Sequence, residues 1–115
     1  DLRVWQMAMS IAERCYREPK SFPREELFGL TSQIRRAAGS IAANIAEGHG
    51  RESTGSFIQF LRIAQGSTKE LETHLLLAQR VEVLTSPQAE ALLSSSDELG
   101  KMLRSLIRSL ERKGP

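Results

Sequence analysis

What this 115-residue chain does not contain excludes several classes of protein at the outset. Cys15 is the only cysteine, so no disulfide can close within the chain, and its place in an apolar helical pattern is that of a small buried hydrophobe. No apolar run approaches the roughly 20 residues of a membrane helix, and the opening residues lack the apolar stretch of a secretory signal. The expectation is a cytoplasmic protein with no membrane partner. Histidine is scarce, and neither His49 nor His74 belongs to the Glu-x-x-His pairs that build two-metal centres in helical bundles. Glu70 and His74, four apart, can touch on one helix, yet Glu70, Glu72 and His74 offer too few ligands for a metal. No metal or cofactor is expected. A nucleophile elbow, a zinc-protease helix and a complete phosphate-binding loop are all missing, which points away from an enzyme.

What is present is helical. Hydrophobic residues at 40% and charged residues at 26% describe one folded domain over 1–115 rather than a disordered chain. Val4, Trp5, Ala8, Met9, Ile11, Ala12, Cys15 and Tyr16 recur at helical spacing, and predict a first helix from Leu2 to about Glu18, before Pro19. Ser21-Phe22-Pro23 is a breaker cluster, with Glu25 and Glu26 behind it. Leu30, Ile34, Ala37, Ala38, Ile41 and Ile45 share one face of a second helix, for which Gly48 is the expected stop. Ser53 or Thr54 caps a third, with Phe57, Leu61, Ala64, Thr68, Leu71, Leu75 and Ala78 as its stripe, running to about Leu84. Ser86 suits the next N-cap and Pro87 the first turn of a fourth helix, whose apolar side runs from Ala89 to Leu110. Ser94-Ser95-Ser96 marks a local weakness or bend in it. Four helices with short connections predict an all-α, antiparallel up-down four-helix bundle.

Two features argue for association. Ile63, Leu77 and Val81 lie well off the packing stripe of the third helix and are candidates for an oligomer interface. Gln33, Arg36, Ser40, Asn44 and Glu47 line up within about a quarter-turn of the second helix, as a solvated face, a polar network or subunit contact, or a ligand site. Arg36 and Glu47 would have to be paired if buried.

Charge is local rather than global. Residues 101–113 carry Lys101, Arg104, Arg108, Arg112 and Lys113 against Glu111 alone, a net +4, so the remainder is −2 within a total of +2. Lys101, Arg104, Arg108 and Arg112 fall on one side of the fourth helix, where they either form a solvated face suited to a helix C-terminus or track the phosphates of RNA or DNA. Gly48, Gly50, Arg51 and Ser53 form a glycine-rich connection into a helix start, readable as an anion site or as an ordinary interhelix turn.

Taken together, Phe22-Pro23-Arg24-Glu25-Glu26, Gly29-Leu30-Thr31-Ser32-Gln33-Ile34-Arg35-Arg36-Ala37, Asn44-Ile45-Ala46-Glu47-Gly48 and Glu70-Leu71-Glu72-Thr73 closely resemble the family of bacterial 23S rRNA intervening-sequence proteins. The resemblance spans nearly the whole chain. It implies a four-helix bundle, commonly a ring-shaped homopentamer, and no settled molecular function. A similar bundle is the accessory variability determinant of diversity-generating retroelements, which works with nucleic acid and a reverse transcriptase; that likeness is one of fold. The leading expectation is therefore a non-enzymatic oligomeric module that binds nucleic acid through basic surfaces. The alternative is a protein-interaction scaffold, for example an accessory subunit of a nucleic-acid enzyme.

Overall fold

Apolar residues recurring every three or four positions are buried along four α-helices: α1 (Leu2–Arg17), α2 (Leu30–His49), α3 (Thr54–Arg80) and α4 (Ser86–Lys113). The computed structural model describes residues 2–17 and 29–113, and among the described residues there is no strand. Glu18, the breaker cluster Ser21-Phe22-Pro23 and the acidic pair Glu25 and Glu26 lie outside them. No helix among the described residues is long and apolar enough to cross a membrane.

α2 packs on α3, α3 on α4, and α1 on both α2 and α4. Contacts along neighbouring helices run in opposite senses. Arg62, early in α3, reaches Glu111, late in α4. Arg14, late in α1, donates to Ser95 Oγ at 2.7 Å, whereas Val4, early in α1, lies beside Ser105 and Leu106 further along α4. The 47 Å long axis is close to the length of α4 alone, whose 28 residues span roughly 42 Å.

The core is one continuous seam. Val4, Ala8, Ile11 and Cys15 of α1 meet Ile34, Ile41 and Ile45 of α2, Leu61, Leu71 and Leu75 of α3, and Leu92, Leu99 and Leu103 of α4, all buried. Each such leucine or isoleucine contributes roughly 1.5–3 kcal/mol by leaving water. Thr31, Ser67, Thr68 and Ser96 are buried as well, and the hydroxyls of Thr68 and Ser96 bond back to their own helix. Thr68 Oγ1 donates to Ala64 O and Ser96 Oγ to Leu92 O, both at 2.8 Å. The serine triplet consequently neither ends nor divides α4: Ser96 is in the core, Ser95 holds Arg14, and Ser94 faces out.

Three helix ends differ from their expected positions, each for a local reason. Gly48 does not stop α2, which continues to His49 and is capped by Gly50 in a right-handed conformation at φ −77°. Gly48 is instead a packing glycine: a Cβ there would lie 2.6 Å from Phe60 Cβ and 3.0 Å from Phe57 Cδ1. α3 ends at Arg80, four residues before Leu84, in a Schellman turn. The Val83 N–H donates to Ala78 O at 2.8 Å and the Glu82 N–H to Gln79 O at 3.2 Å, with Glu82 left-handed at φ 64°. That turn tucks Val83 and Leu84 into the end of the core. At the start of α4 the cap is Thr85 rather than Ser86. Thr85 Oγ1 accepts from the Gln88 N–H at 3.3 Å while Gln88 Oε1 accepts from the Thr85 N–H at 3.0 Å, a reciprocal capping box. Ser53 caps α3 as expected, accepting the Ser56 N–H at 3.1 Å.

Gly48→Ala should destabilise the chain by about 1–3 kcal/mol in urea unfolding, although alanine is the better helix former. An unchanged or raised midpoint would refute the close α2–α3 contact.

Candidate functional site

The surfaces singled out by sequence occupy different sides of the bundle. On α4, Lys101, Arg104, Arg108 and Arg112 are all exposed along one side of the helix. Lys101 Nζ lies 3.4 Å from Asp97 Oδ2, whereas Arg104, Arg108 and Arg112 have no ion pair among the described residues. Antiparallel packing brings further cations to this row. Arg62 of α3 reaches Glu111 Oε2 at 2.6 Å, and Arg3 of α1 lines a groove with Lys101 and Ser105. Neither was legible beforehand, because each sits on a different helix from the row and Arg62 lies 49 positions from Glu111.

Between α3 and α4 runs a groove of about 380 Å³, lined by Arg62, Gln65, Gly66, Thr68, Lys69, Glu72, Asp97, Gly100 and Arg104. Its carboxylates are met by lysines of their own helices, Glu72 by Lys69 at 3.1 Å and Asp97 by Lys101 at 3.4 Å. An ideal Cβ added to Gly66 or to Gly100 would meet nothing within 4 Å. A glycine inside a helix costs about 0.8–1 kcal/mol relative to alanine, and packing within the chain does not require either one.

On the α2–α3 side, the five polar residues of α2 form local pairs rather than one network. Arg36 Nη2 donates to Gln33 Oε1 at 2.6 Å. Asn44 Nδ2 donates to Ser40 O at 2.8 Å and approaches Ser40 Oγ at 3.1 Å; Ser40 Oγ in turn pairs with Ser67 Oγ of α3 at 2.9 Å. Glu47 turns away from Arg36 to Arg51, one helical turn on, at 3.0 Å. Arg36 and Glu47 are both exposed, so the pairing that burial would have demanded is not needed. Beside this face, Ile63, Leu77 and Val81 stand about half exposed, at 48%, 47% and 56%, in positions where a lone bundle gives them nothing to cover. Glu70 and His74 lie among them, His74 Nε2 being 3.6 Å from Glu70 Oε2, too far for a hydrogen bond. No third histidine, cysteine, aspartate or glutamate joins this pair among the described residues.

The first two amides of the connection from α2 to α3 bond back to α2. The Gly50 N–H donates to Ala46 O and the Arg51 N–H to Gly48 O, both at 3.1 Å. The Arg51 guanidinium bonds Glu47 and lies 4.9 Å from the centre of the Phe60 ring. Gly48 is buried beneath Phe57 and Phe60 whereas Gly50, Arg51 and Ser53 are exposed, so the four do not converge on one concavity. Their arrangement is that of a capped helix-to-helix turn.

With this geometry in hand, comparison with known proteins gives two findings. Residues 1–105 match the family described as 23S rRNA-intervening sequence protein. Among solved structures, the chain is similar to the crystal structure of a protein with unknown function from the S23 ribosomal protein family of Bacteroides thetaiotaomicron VPI-5482. The two are 33% identical, with 90% of this chain and 97% of that one covered and a TM-score of 0.84. No curated protein matches the chain.

Proposed function

The chain belongs to the 23S rRNA-intervening sequence protein family, and from that premise we propose that it is a non-catalytic, self-associating helical module that holds nucleic acid by its phosphates. The observation that carries this is the exposed row on α4. Arg104, Arg108 and Arg112 have no ion pair among the described residues, and Lys101 and Arg62 extend their field. Successive members at i and i+4 recur about every 6 Å along the helix axis, a pitch suited to a line of phosphates rather than to a single anion. Guanidinium groups bind phosphate bidentately, and their charge is independent of physiological pH. The family's name associates it with ribosomal RNA, which makes RNA the first partner to test. Such a protein works in the cytoplasm.

Self-association supplies the second half. Ile63, Leu77 and Val81 are exposed apolar residues on one side of α3, Leu77 and Val81 beside Leu30 and Gln33 of α2, and a second copy would cover them. A closed ring of five copies would repeat the α4 row around its circumference and raise the local potential felt by a polyanion. Leu76, 45% exposed on α3 off that side, favours a second reading, in which the module is a scaffold that docks a protein partner such as a nucleic-acid enzyme.

Fluorescence anisotropy with RNA and DNA over a range of salt concentrations checks the binding half. Affinity should fall with salt, and joint replacement of Arg104, Arg108 and Arg112 by glutamine should weaken binding across sequences and flatten the log–log salt slope by about two. Absence of low-salt binding, or indifference to the triple replacement, would overturn it. For the assembly half, multi-angle light scattering should show an oligomer that Leu77→Glu with Val81→Glu converts to monomer while circular dichroism stays helical; a monomeric unsubstituted chain rules it out.

A further inference from the structure

The glycines of the α3–α4 groove are placed in register with its cations. Gly66 sits one turn from Arg62 on one side and from Lys69 on the other, and Gly100 sits one turn from Arg104. Unlike Gly48, neither is needed for the bundle to close, since a Cβ at either would stand in open space. What both do is keep the groove floor at backbone level between basic posts. The groove's acids are engaged by Lys69 and Lys101, so the unmatched charge there belongs to Arg104, with Arg62 held by Glu111. The row Arg104, Arg108, Arg112 leads away from the groove along α4.

We infer that the α3–α4 groove seats the sugar-phosphate backbone of a nucleic-acid strand, which follows the α4 arginines into it and lies over Gly66 and Gly100. This rests on the nucleic-acid function proposed above, and deepens it by assigning the strand a bed. A sugar-phosphate chain is narrow and polar, and it can approach a helix closely only where no side chain intervenes. Arg104 is available to a phosphate directly, and Arg62 can exchange its carboxylate for one at little cost because the pair is solvent-exposed. The groove suits a second copy of the chain less well: a packing helix brings an apolar ridge, whereas these walls present Gln65, Lys69, Glu72, Asp97 and Arg104.

Gly66→Leu and Gly100→Leu, made singly in the full chain, test this, because the added side chains fill the groove at positions where the fold has room and where leucine is the better helix former. Thermal unfolding should be unchanged or shifted upward, while affinity for a short single-stranded RNA should drop by about tenfold or more. Gly100→Ala should move both readouts in the same directions by less, which keeps the test valid should a leucine variant misfold. RNA affinity within about twofold of the unsubstituted chain in well-folded leucine variants overturns the inference. So does loss of self-association with RNA affinity retained, which would give the groove to a second copy. If RNA binding survives groove filling but is lost in the triple arginine variant, the groove assignment alone falls. If the unsubstituted chain binds no RNA at all, the proposed function falls, and the groove assignment with it.

Discussion

The contact between Gly48 of α2 and the Phe57–Phe60 turn of α3 sets the frame in which the other surfaces are arranged. With no side chain on Gly48, α3 comes close enough that a Cβ would overlap Phe60. Because that contact lies at the α2–α3 turn, it holds the register of the hairpin along its length. Ser40 then falls opposite Ser67, and the two hydroxyls bond at 2.9 Å. In the same hairpin Leu61, Ala64, Leu71 and Leu75 face inward and Ile63, Leu77 and Val81 lie on the outer flank. Packing at one glycine thus sets how closely and at what level the 27-residue α3 lies along α2, while helical phase decides which of its residues stay exposed.

Charge distribution follows from the antiparallel order in the same way. The C-terminal half of α4 carries its positive residues, and its partner in α3 is the N-terminal half, which contains Arg62. Cations that sit on different helices therefore gather at one end of one groove. Towards the other end, Lys69 with Glu72 and Lys101 with Asp97 form local ion pairs one turn apart, which mute each other's field. What is left is a directional surface, ion-paired toward the middle of the bundle and arginine-rich toward its tip.

Much of this was legible in the residue pattern. Period alone located four helices and most of the core, because the 3.6-residue repeat is a property of each segment by itself, and the exposure of Ile63, Leu77 and Val81 follows from their phase on that repeat. Helix ends were less legible, since the residues that terminate helices are chemically ambiguous. A glycine near a helix end reads as a stop, and Gly48 has that appearance, but only the neighbouring phenylalanines reveal it as a contact. Thr85 and Ser86 are both capable caps; the choice of Thr85 depends on Gln88 bonding back to it. Val83 and Leu84 continue the apolar pattern of α3, yet a left-handed Glu82 takes them out of the helix and into the core. The polar face of α2, readable as a solvated face, a network or a ligand site, holds local pairs, with Glu47 meeting Arg51 one turn on.

The sequence by itself determined that this chain is helical, that it has four segments each with one buried face, and that its positive charge gathers near residue 101 and beyond. These are sums over local neighbours, each felt within three or four positions. Only the tertiary structure decided that Arg62 and Arg3 join the α4 row, that Gly66 and Gly100 line one groove while Gly48 closes an interface, and that the polar face of α2 reaches α3 through a single hydroxyl pair. Those outcomes depend on which helices are neighbours and on their register. Both are set by long-range packing of side chains whose partners lie tens of residues away, so no window along the chain contains them.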